Sequence, residues 1–193
     1  PNNWRVSKVI DNIGPVTSSI ANLLDRNTNK LWLYFAEGRY FYKQDDTTLR
    51  RRLYGIQEPC YLDDTTTVTP DFDIRNNCSA PVSTASLNDQ TSAPDDLTAT
   101  QTGWFINMDQ ATTTVSSERV ITNPTADTQG AIFFLSFAPT ADICSYGGTT
   151  FLWALDYKSG GVVTYTMQGK ALVQVSTGEI KELDLSDDDT FSE

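Results

Sequence analysis

The chain has 193 residues, a formal net charge of −11 and no histidine. Residues 1–60 carry nine Lys/Arg against six Asp/Glu, a balance of +3, whereas residues 61–193 carry five against nineteen, a balance of −14. An acidic surface repels phosphate backbones and anionic lipid, so nucleic acid and membrane surfaces are excluded as expected partners. The absence of histidine argues against His-ligated zinc and His-based catalysis, and we expect no enzymatic activity. No apolar run approaches the ~20 residues of a membrane-spanning helix.

Short strand patterns dominate the first part of the chain. Residues 18–24 and 31–36 are apolar and flank the Asx-rich segment 25–30, a pattern that predicts a β-hairpin. The basic run at 50–52 could contact an anion, but we interpret it as a solvated strand edge. Three further strands are predicted at residues 103–108, 117–122 and 131–137.

The segment 57–102 interrupts this pattern. It is rich in Thr, Ser, Asp and Asn, and it contains four prolines together with Cys60 and Cys78. A structureless loop of that length is unusual in a compact domain. Because strands continue on both sides, we interpret it as an irregular insertion and not as a linker between domains. Cys144 is left over, either buried as a free thiol or paired outside this chain.

Two more hairpins are predicted towards the end of the sequence. Residues 149–156 pair with 162–167 around the turn 157–161, and residues 170–176 pair with 179–183. No stretch shows sustained helical periodicity. Strands of this length and spacing indicate an all-β sandwich, barrel or propeller.

The turn that follows the strand at 149–156 has a recognisable form. An apolar strand ends in Ala154-Leu155-Asp156, and Ser159-Gly160 then leads into a new strand that contains Tyr165. Asp156 can accept turn N–H groups, and Gly160 can adopt a positive φ. The motif resembles the tryptophan-docking repeat of quinoprotein propellers, with Tyr165 where tryptophan is usual. The alternative is a generic hairpin turn.

Several sequence blocks occur in the order expected of one known family. They are Pro15–Ser19 with Leu31–Tyr40, Leu53–Ile56, Gly103–Met108 with Glu118–Val120, and Ile132–Pro139 with Cys144 and Gly147–Asp156. Together the blocks cover roughly residues 4–168 and resemble the PilY/PilC family of type IV pilus tip adhesins. The chain departs from the family pattern at Ala36-Glu37, where the family has a small Gly-Thr step.

The resemblance implies a fold and a role. The fold expected is an all-β partial β-propeller of antiparallel, quinoprotein-like blades over residues 1–183, with a disulfide-stapled insertion at 57–102 and an acidic tail at 184–193. The role expected is a structural and adhesive module of a pilus tip protein, acting in pilus biogenesis and surface adhesion. The expected location is extracellular, at the cell surface or pilus tip. Expected partners are the remainder of the propeller and minor pilins or the pilus tip complex.

Some members of the family carry a calcium loop in the propeller. The segment Asp25–Asn29 has acidic or amide groups at alternate positions, as such a loop has. Lys30 stands where the loop needs glycine, and Ala36 stands where it needs glutamate. We therefore expect no metal and no cofactor in this chain, although a calcium site could lie elsewhere in the full-length protein.

Two other functions remain open at this point. One is a fragment of a quinoprotein-type dehydrogenase, because such enzymes share the blade motif; the other is a subunit that completes an extracellular filament or propeller with another chain. About nine to eleven strands correspond to between two and three blades, whereas closed propellers have typically 4–8. We therefore expect an arc that is unstable alone, with open faces lined by Trp32, Trp104, Phe133 and Trp153. The chain begins at Pro1, as a processed product or a downstream segment would.

We predict that Cys60 and Cys78 form a structural disulfide, because the polar segment between them cannot hold itself together by burial. The bridge encloses about 19 residues and should stabilise the fold by roughly 3 kcal/mol through restriction of the unfolded chain. Peptide mapping without reductant checks the pairing. Two free thiols at these positions would contradict it.

Overall fold

The computed structural model describes residues 8–39, 50–59, 61–64, 71–74, 81–92, 96–98, 100–141, 147–163, 170–174 and 180–184. This described part is all-β, and its only helical element is a 3-10 turn at Thr84–Ser86. No helix in these ranges is long and apolar enough to cross a membrane.

Thirteen strands lie within the described ranges. They are β1 (Ala21–Asp25), β2 (Lys30–Ala36), β3 (Arg52–Gln57), β4 (Tyr61–Asp64), β5 (Asp71–Ile74), β6 (Asn88–Asp89), β7 (Gly103–Asn107), β8 (Arg119–Val120), β9 (Thr125–Ala126), β10 (Ala131–Pro139), β11 (Gly148–Asp156), β12 (Lys170–Gln174) and β13 (Ile180–Asp184).

The strands form two main sheets. The first sheet has the order β1-β2-β3-β7-β6, antiparallel except for the parallel pair β6 and β7. The second sheet has the order β11-β10-β8, and β9 also pairs with β10. Two separate hairpins, β4-β5 and β12-β13, complete the described part.

The main core lies between the two sheets. Successive side chains of a strand point to opposite faces, so alternate residues of β2, β3 and β7 face the second sheet. The buried residues of this core are Trp32, Tyr34, Ala36, Leu53, Trp104, Ile106 and Met108 from the first sheet and its margin, and Val120, Ile132, Phe134 and Leu155 from the second sheet. The expectation that Trp32 and Trp104 line an open face is therefore wrong. Trp32 is 2% exposed and Trp104 is 0% exposed, because the second sheet covers them.

The opposite face of the first sheet has its own apolar cluster. Phe35, Tyr54, Ile56 and Phe105 alternate with the residues of the main core. Val82 and Leu87 cover this face, together with residues 9–16. Both covering residues come from segment 57–102, which was expected to be an irregular insertion. The structure instead places the β4-β5 hairpin and strand β6 in that segment.

The basic run at 50–52 is not a solvated edge. β3 lies inside the first sheet, between β2 and β7, so its backbone is paired on both sides. Arg51 is only 4% exposed. The Arg52 guanidinium lies 4.4 Å from the centre of the Phe105 ring, and its Nε donates to Asn107 Oδ1 at 2.9 Å. Packing against an aromatic ring and an amide fixes this arginine within the sheet.

Most of the predicted strands are present with shifted ends. The hairpins β1-β2 and β12-β13 are confirmed, and the three strands predicted in the middle of the chain correspond to β7, β8 and β10. The pairing of β11 differs in part. Its nine register pairs join it to β10, and only the single bridge Leu155–Val162 extends towards the predicted partner. Cys60, Cys78, Cys144 and Tyr165 lie outside the described residues, as does the acidic tail after Asp184.

Candidate functional site

The turn after β11 is organised by the Asp156 side chain. Its Oδ1 accepts from the Lys158 N–H at 3.0 Å, the Ser159 N–H at 2.9 Å and the Ser159 hydroxyl at 3.0 Å. Gly160 has a φ of +68°, and its N–H donates to the Asp156 carbonyl at 2.8 Å. A side chain is strained in that backbone conformation, so glycine is required there. Asp156 thus accepts the N–H groups of the turn, and Gly160 has a positive φ.

A tryptophan from the first sheet packs directly onto this turn. The indole of Trp104, on β7, covers Gly160 so closely that a Cβ there would lie 2.5 Å from Trp104 Cδ2. The same indole covers Gly55, its cross-strand partner on β3, where a Cβ would clash with Trp104 Cε2. Two glycines thus make the space that one tryptophan fills. We name this arrangement of Trp104, Gly55, Gly160 and the Tyr157 carbonyl the inter-sheet junction.

Hydrogen bonds fix the position of the ring at the inter-sheet junction. The Tyr157 carbonyl accepts from Trp104 Nε1 at 3.2 Å and from the Tyr34 hydroxyl at 3.1 Å. Tyr34 is fully buried, and burial raises the pKa of its phenol far above the usual value. The phenol therefore stays a neutral donor. Two buried donors of the first sheet satisfy one backbone acceptor of the second sheet, as buried polar groups require.

An ion pair lies beside the inter-sheet junction. Lys158 Nζ is 3.0 Å from Asp25 Oδ2, which joins the turn after β11 to the β1-β2 turn. Asp25 also accepts from the Thr28 hydroxyl at 2.6 Å and the Asn27 N–H at 3.0 Å. Burial raises the pKa of Asp25, but these hydrogen bonds and the lysine outweigh it, so the pKa lies below its ordinary value. The segment that resembled a calcium loop is a hairpin turn organised by its own aspartate.

The buried side chain of Glu118, directly before β8, joins β10 and β11 to the loop at Asp109. Its Oε1 accepts from Trp153 Nε1 at 2.9 Å and from the Ser136 hydroxyl, and its Oε2 accepts from the Asp109 N–H at 3.0 Å. Glu118 is only 1% exposed. Donors of the protein therefore satisfy both oxygens of this buried side chain.

Glu37 has the same role at the end of β2. Its Oε1 accepts from the Gly14 N–H and from the Tyr54 hydroxyl, both at 2.8 Å. Its Oε2 accepts from the Arg52 N–H at 3.1 Å. Burial, followed by the charge of Glu37, raises the pKa of Tyr54 well above its usual value. The departure from the family pattern at Ala36-Glu37 therefore has a structural account, since the longer acidic side chain holds residues 14 and 52 in place.

Sequence reasoning identified only part of this arrangement. Asp156 and Gly160 belong to the inter-sheet junction, whereas Ala154 is exposed on β11 and takes no part in it. The contributions of Trp104 and Glu118 were missed as site residues, although both lie in the blocks that carried the family resemblance. Glu118 directly precedes β8 and is followed by buried residues, and that position was the available signal.

The described residues contain no group of three or more His, Cys, Asp or Glu that could hold a metal ion. The oxygens of Asp25, Glu37 and Glu118 already accept hydrogen bonds from the protein itself. Such carboxylates fix the relative positions of strands and turns.

No family model matches the chain, and no curated protein matches it. Among solved structures, the crystal structure of the Pseudomonas aeruginosa PilY1 C-terminal domain is similar, with a TM-score of 0.49 and 14% sequence identity. The match covers 89% of this chain and 43% of that chain, so the chain spans less than half of the PilY1 domain. The similarity is distant, and at this TM-score it defines neither the fold nor the function of the chain.

We predict a coupled effect of substitutions at the inter-sheet junction. Gly160→Ala should lower the free energy of unfolding by roughly 2–4 kcal/mol, because it adds backbone strain and a clash with the indole. Trp104→Leu should cost roughly 3 kcal/mol through loss of buried volume. In the double variant the clash is absent. The loss of unfolding free energy in the double variant should therefore be smaller than the sum of the two single losses by about 1 kcal/mol or more. Urea unfolding of the intact polypeptide measures all three.

Gly148→Ala is the matched control for this cycle. A Cβ on Gly148 would also clash, at 2.5 Å from the Ala138 carbonyl oxygen, but at the other end of β11. Its effect should add to that of Trp104→Leu within about 0.5 kcal/mol. Additivity of Gly160→Ala with Trp104→Leu would contradict direct packing of the ring on the turn.

The lowered pKa of Asp25 predicts a pH dependence of stability. The folded pKa lies below the unfolded value of ~3.9, so the carboxylate stabilises the fold above that pH. This contribution is lost as the pH falls through the folded pKa. The free energy of unfolding should therefore decline more steeply between about pH 5 and pH 2 in the wild type than in Asp25→Asn. Exposed Asp96→Asn is the control, and a wild-type slope in Asp25→Asn would refute the prediction.

Proposed function

We propose that the chain is a β-propeller segment that serves as a structural and adhesive module of a type IV pilus tip protein. The observation that carries the proposal is the inter-sheet junction. An aromatic side chain of one sheet packs on the glycine turn of the next sheet and donates to a carbonyl of that turn. The blade-turn motif resembled a repeat whose tryptophan has this docking role, and the ordered PilY/PilC blocks contribute the strands on both sides.

The numbers of strands in the two sheets support consecutive blades, and the first sheet also contains the parallel strand β6. β1, β2, β3 and β7 form four antiparallel strands, which is the number in a propeller blade. The second sheet consists of β11 and β10, with β8 and β9 along the other side of β10. A shared core lies between the sheets, as it does between packed sheets generally.

The outer face of the second sheet supports a partner for this module. Phe133, Leu135 and Phe137 point away from the main core on β10, opposite Leu152 on the same face of β11. Leu135 is 38% exposed. An apolar sheet face of this kind marks an interaction surface. The partner proposed is the remainder of the propeller, and minor pilins or the pilus tip complex would bind the assembled module.

An extracellular location, at the cell surface or pilus tip, is part of the proposal. The family blocks imply export, and the predicted bridge between Cys60 and Cys78 requires an oxidising compartment. We also propose that the module has no enzymatic turnover. The blade turn is used for packing, and the chain contains no histidine for acid-base chemistry.

A second candidate function is a subunit that completes a propeller or filament with a separate polypeptide. The partly exposed apolar face of β10 favours this function equally, because the sheet that covers the face could come from either source. Native mass spectrometry of the purified protein distinguishes the two. A stoichiometric second polypeptide indicates the subunit.

The proposed role predicts a phenotype in the organism that encodes the chain. Deletion of the gene should reduce both the number of surface type IV pili and surface attachment, and the wild-type gene should restore both. A gene carrying Trp104→Leu together with Glu118→Ala should not restore pili or attachment, because the two sheets lose buried contacts. Thr149→Ala, at an exposed position of β11, is the matched control and should restore both. Wild-type piliation and attachment in the deletion strain would overturn the proposal.

A further inference from the structure

A cleft of about 660 Å³ lies beside the β1-β2 hairpin. Two turns and the edge of a strand form its walls. The lining residues are Leu23, Leu24, Asp25, Arg26 and Asn27 from β1 and its turn, Thr128, Gln129 and Gly130 from the β9-β10 turn, and Tyr157. Its volume is typical of ligand-binding sites in proteins.

One wall of the cleft is an unpaired strand edge. β1 is the terminal strand of the first sheet, and within the described ranges it pairs only with β2. Alternate N–H and C=O groups of such a strand point away from the sheet and are available to another strand. Asn22 is exposed, and β1 contains no proline that would block pairing at Asn22 or Leu24. Within the described ranges, β1 thus has an edge without a paired strand, next to an open volume and near β9.

The cleft lining carries one acidic and one basic side chain, Asp25 and Arg26. Asp25 is neutralised by Lys158 at 3.0 Å and accepts from Thr28 and Asn27, so its charge is satisfied internally. Arg26 is exposed, and it forms no ion pair in the described part of the chain. Opposite it, Gln129 is exposed and offers an amide. A carboxylate fits this combination, since arginine binds carboxylates with two parallel hydrogen bonds.

The apolar part of the cleft suits aliphatic side chains. Leu24 and the half-buried Tyr157 ring line it, and Gly130 packs so closely on that ring that a Cβ there would lie 2.8 Å from Tyr157 Cδ1. The ring is therefore held in one position. An extended segment that pairs with β1 would place alternate side chains towards these groups.

We propose that this cleft binds an extended, carboxylate-bearing peptide segment, which adds a strand to the edge of β1 and places its carboxylate on Arg26. Main-chain hydrogen bonds to β1 supply most of the affinity, and Arg26 selects for the acidic side chain. The inference depends on the β1-β2 hairpin, the β9-β10 turn and the turn after β11, and it is independent of the proposed pilus role.

A defined peptide tests the site on the intact polypeptide. The probe is a fluorescein-labelled peptide of sequence Thr-Val-Glu-Val-Thr-Val, blocked at both ends, and binding is followed by fluorescence anisotropy. We expect micromolar affinity. Arg26→Glu should weaken binding by at least about tenfold, and Arg26→Gln should have a smaller effect in the same direction. A probe with lysine in place of glutamate should bind weakly to the wild type and gain affinity for Arg26→Glu.

Two controls separate strand addition from charge attraction alone. Arg50→Gln removes an exposed arginine that lies beyond the other end of β2, roughly 20 Å away at the rise of an extended strand, and should leave the affinity unchanged. A probe methylated on alternate backbone nitrogens cannot pair with a strand edge and should lose binding. No binding at about 1 mM probe, equal binding to Arg26→Glu, or equal binding of the methylated probe would each overturn the proposal.

Discussion

The packing of one indole between two glycines is the constraint on which the rest of the structure depends. Trp104 extends from the first sheet, lies over Gly55 of the neighbouring strand and ends against Gly160 of the second sheet. The ring is completely buried, and its N–H has a backbone acceptor. Neither sheet could shift by more than a few tenths of an ångström without loss of this fit, because protein interiors are close-packed. The distance and orientation of the sheets therefore follow from three residues.

Buried carboxylates extend this constraint away from the ring. Glu37 holds residue 14 and β3, Glu118 holds the loop at Asp109 and the face of β10, and Asp25 reaches across to Lys158. Each lies at or next to the end of a strand, where backbone groups lose their ladder partners. A carboxylate accepts several hydrogen bonds at once and can satisfy those groups without a further strand. The protein thus uses acidic side chains to close the ends of its sheets.

Local signals in the sequence were sufficient for strands and turns. Apolar and aromatic runs of high strand propensity predicted β2, β7 and β10, and the Asp156–Gly160 spacing predicted the turn geometry, because both depend on residues close in sequence. The pairing of strands and the packing of residues from distant parts of the sequence were harder to predict. Segment 57–102 has the composition of a loop, yet β6 pairs with β7 and Leu87 packs in a core, since tertiary contacts outweigh local propensity there. The burial of Arg51 had no local signal, because it depends on neighbours brought in from distant segments.

The fit of Trp104 between Gly55 and Gly160 has a consequence for how this sequence can change during evolution. A larger residue at either glycine is incompatible with the indole, and a smaller residue at position 104 leaves a void that the glycines cannot fill. The three positions lie on three different strands or turns and are separated by about 50 residues each along the chain. Substitutions at these three positions must therefore be correlated. Homologous sequences should either retain all three residues or show compensating exchanges at positions 55, 104 and 160 together.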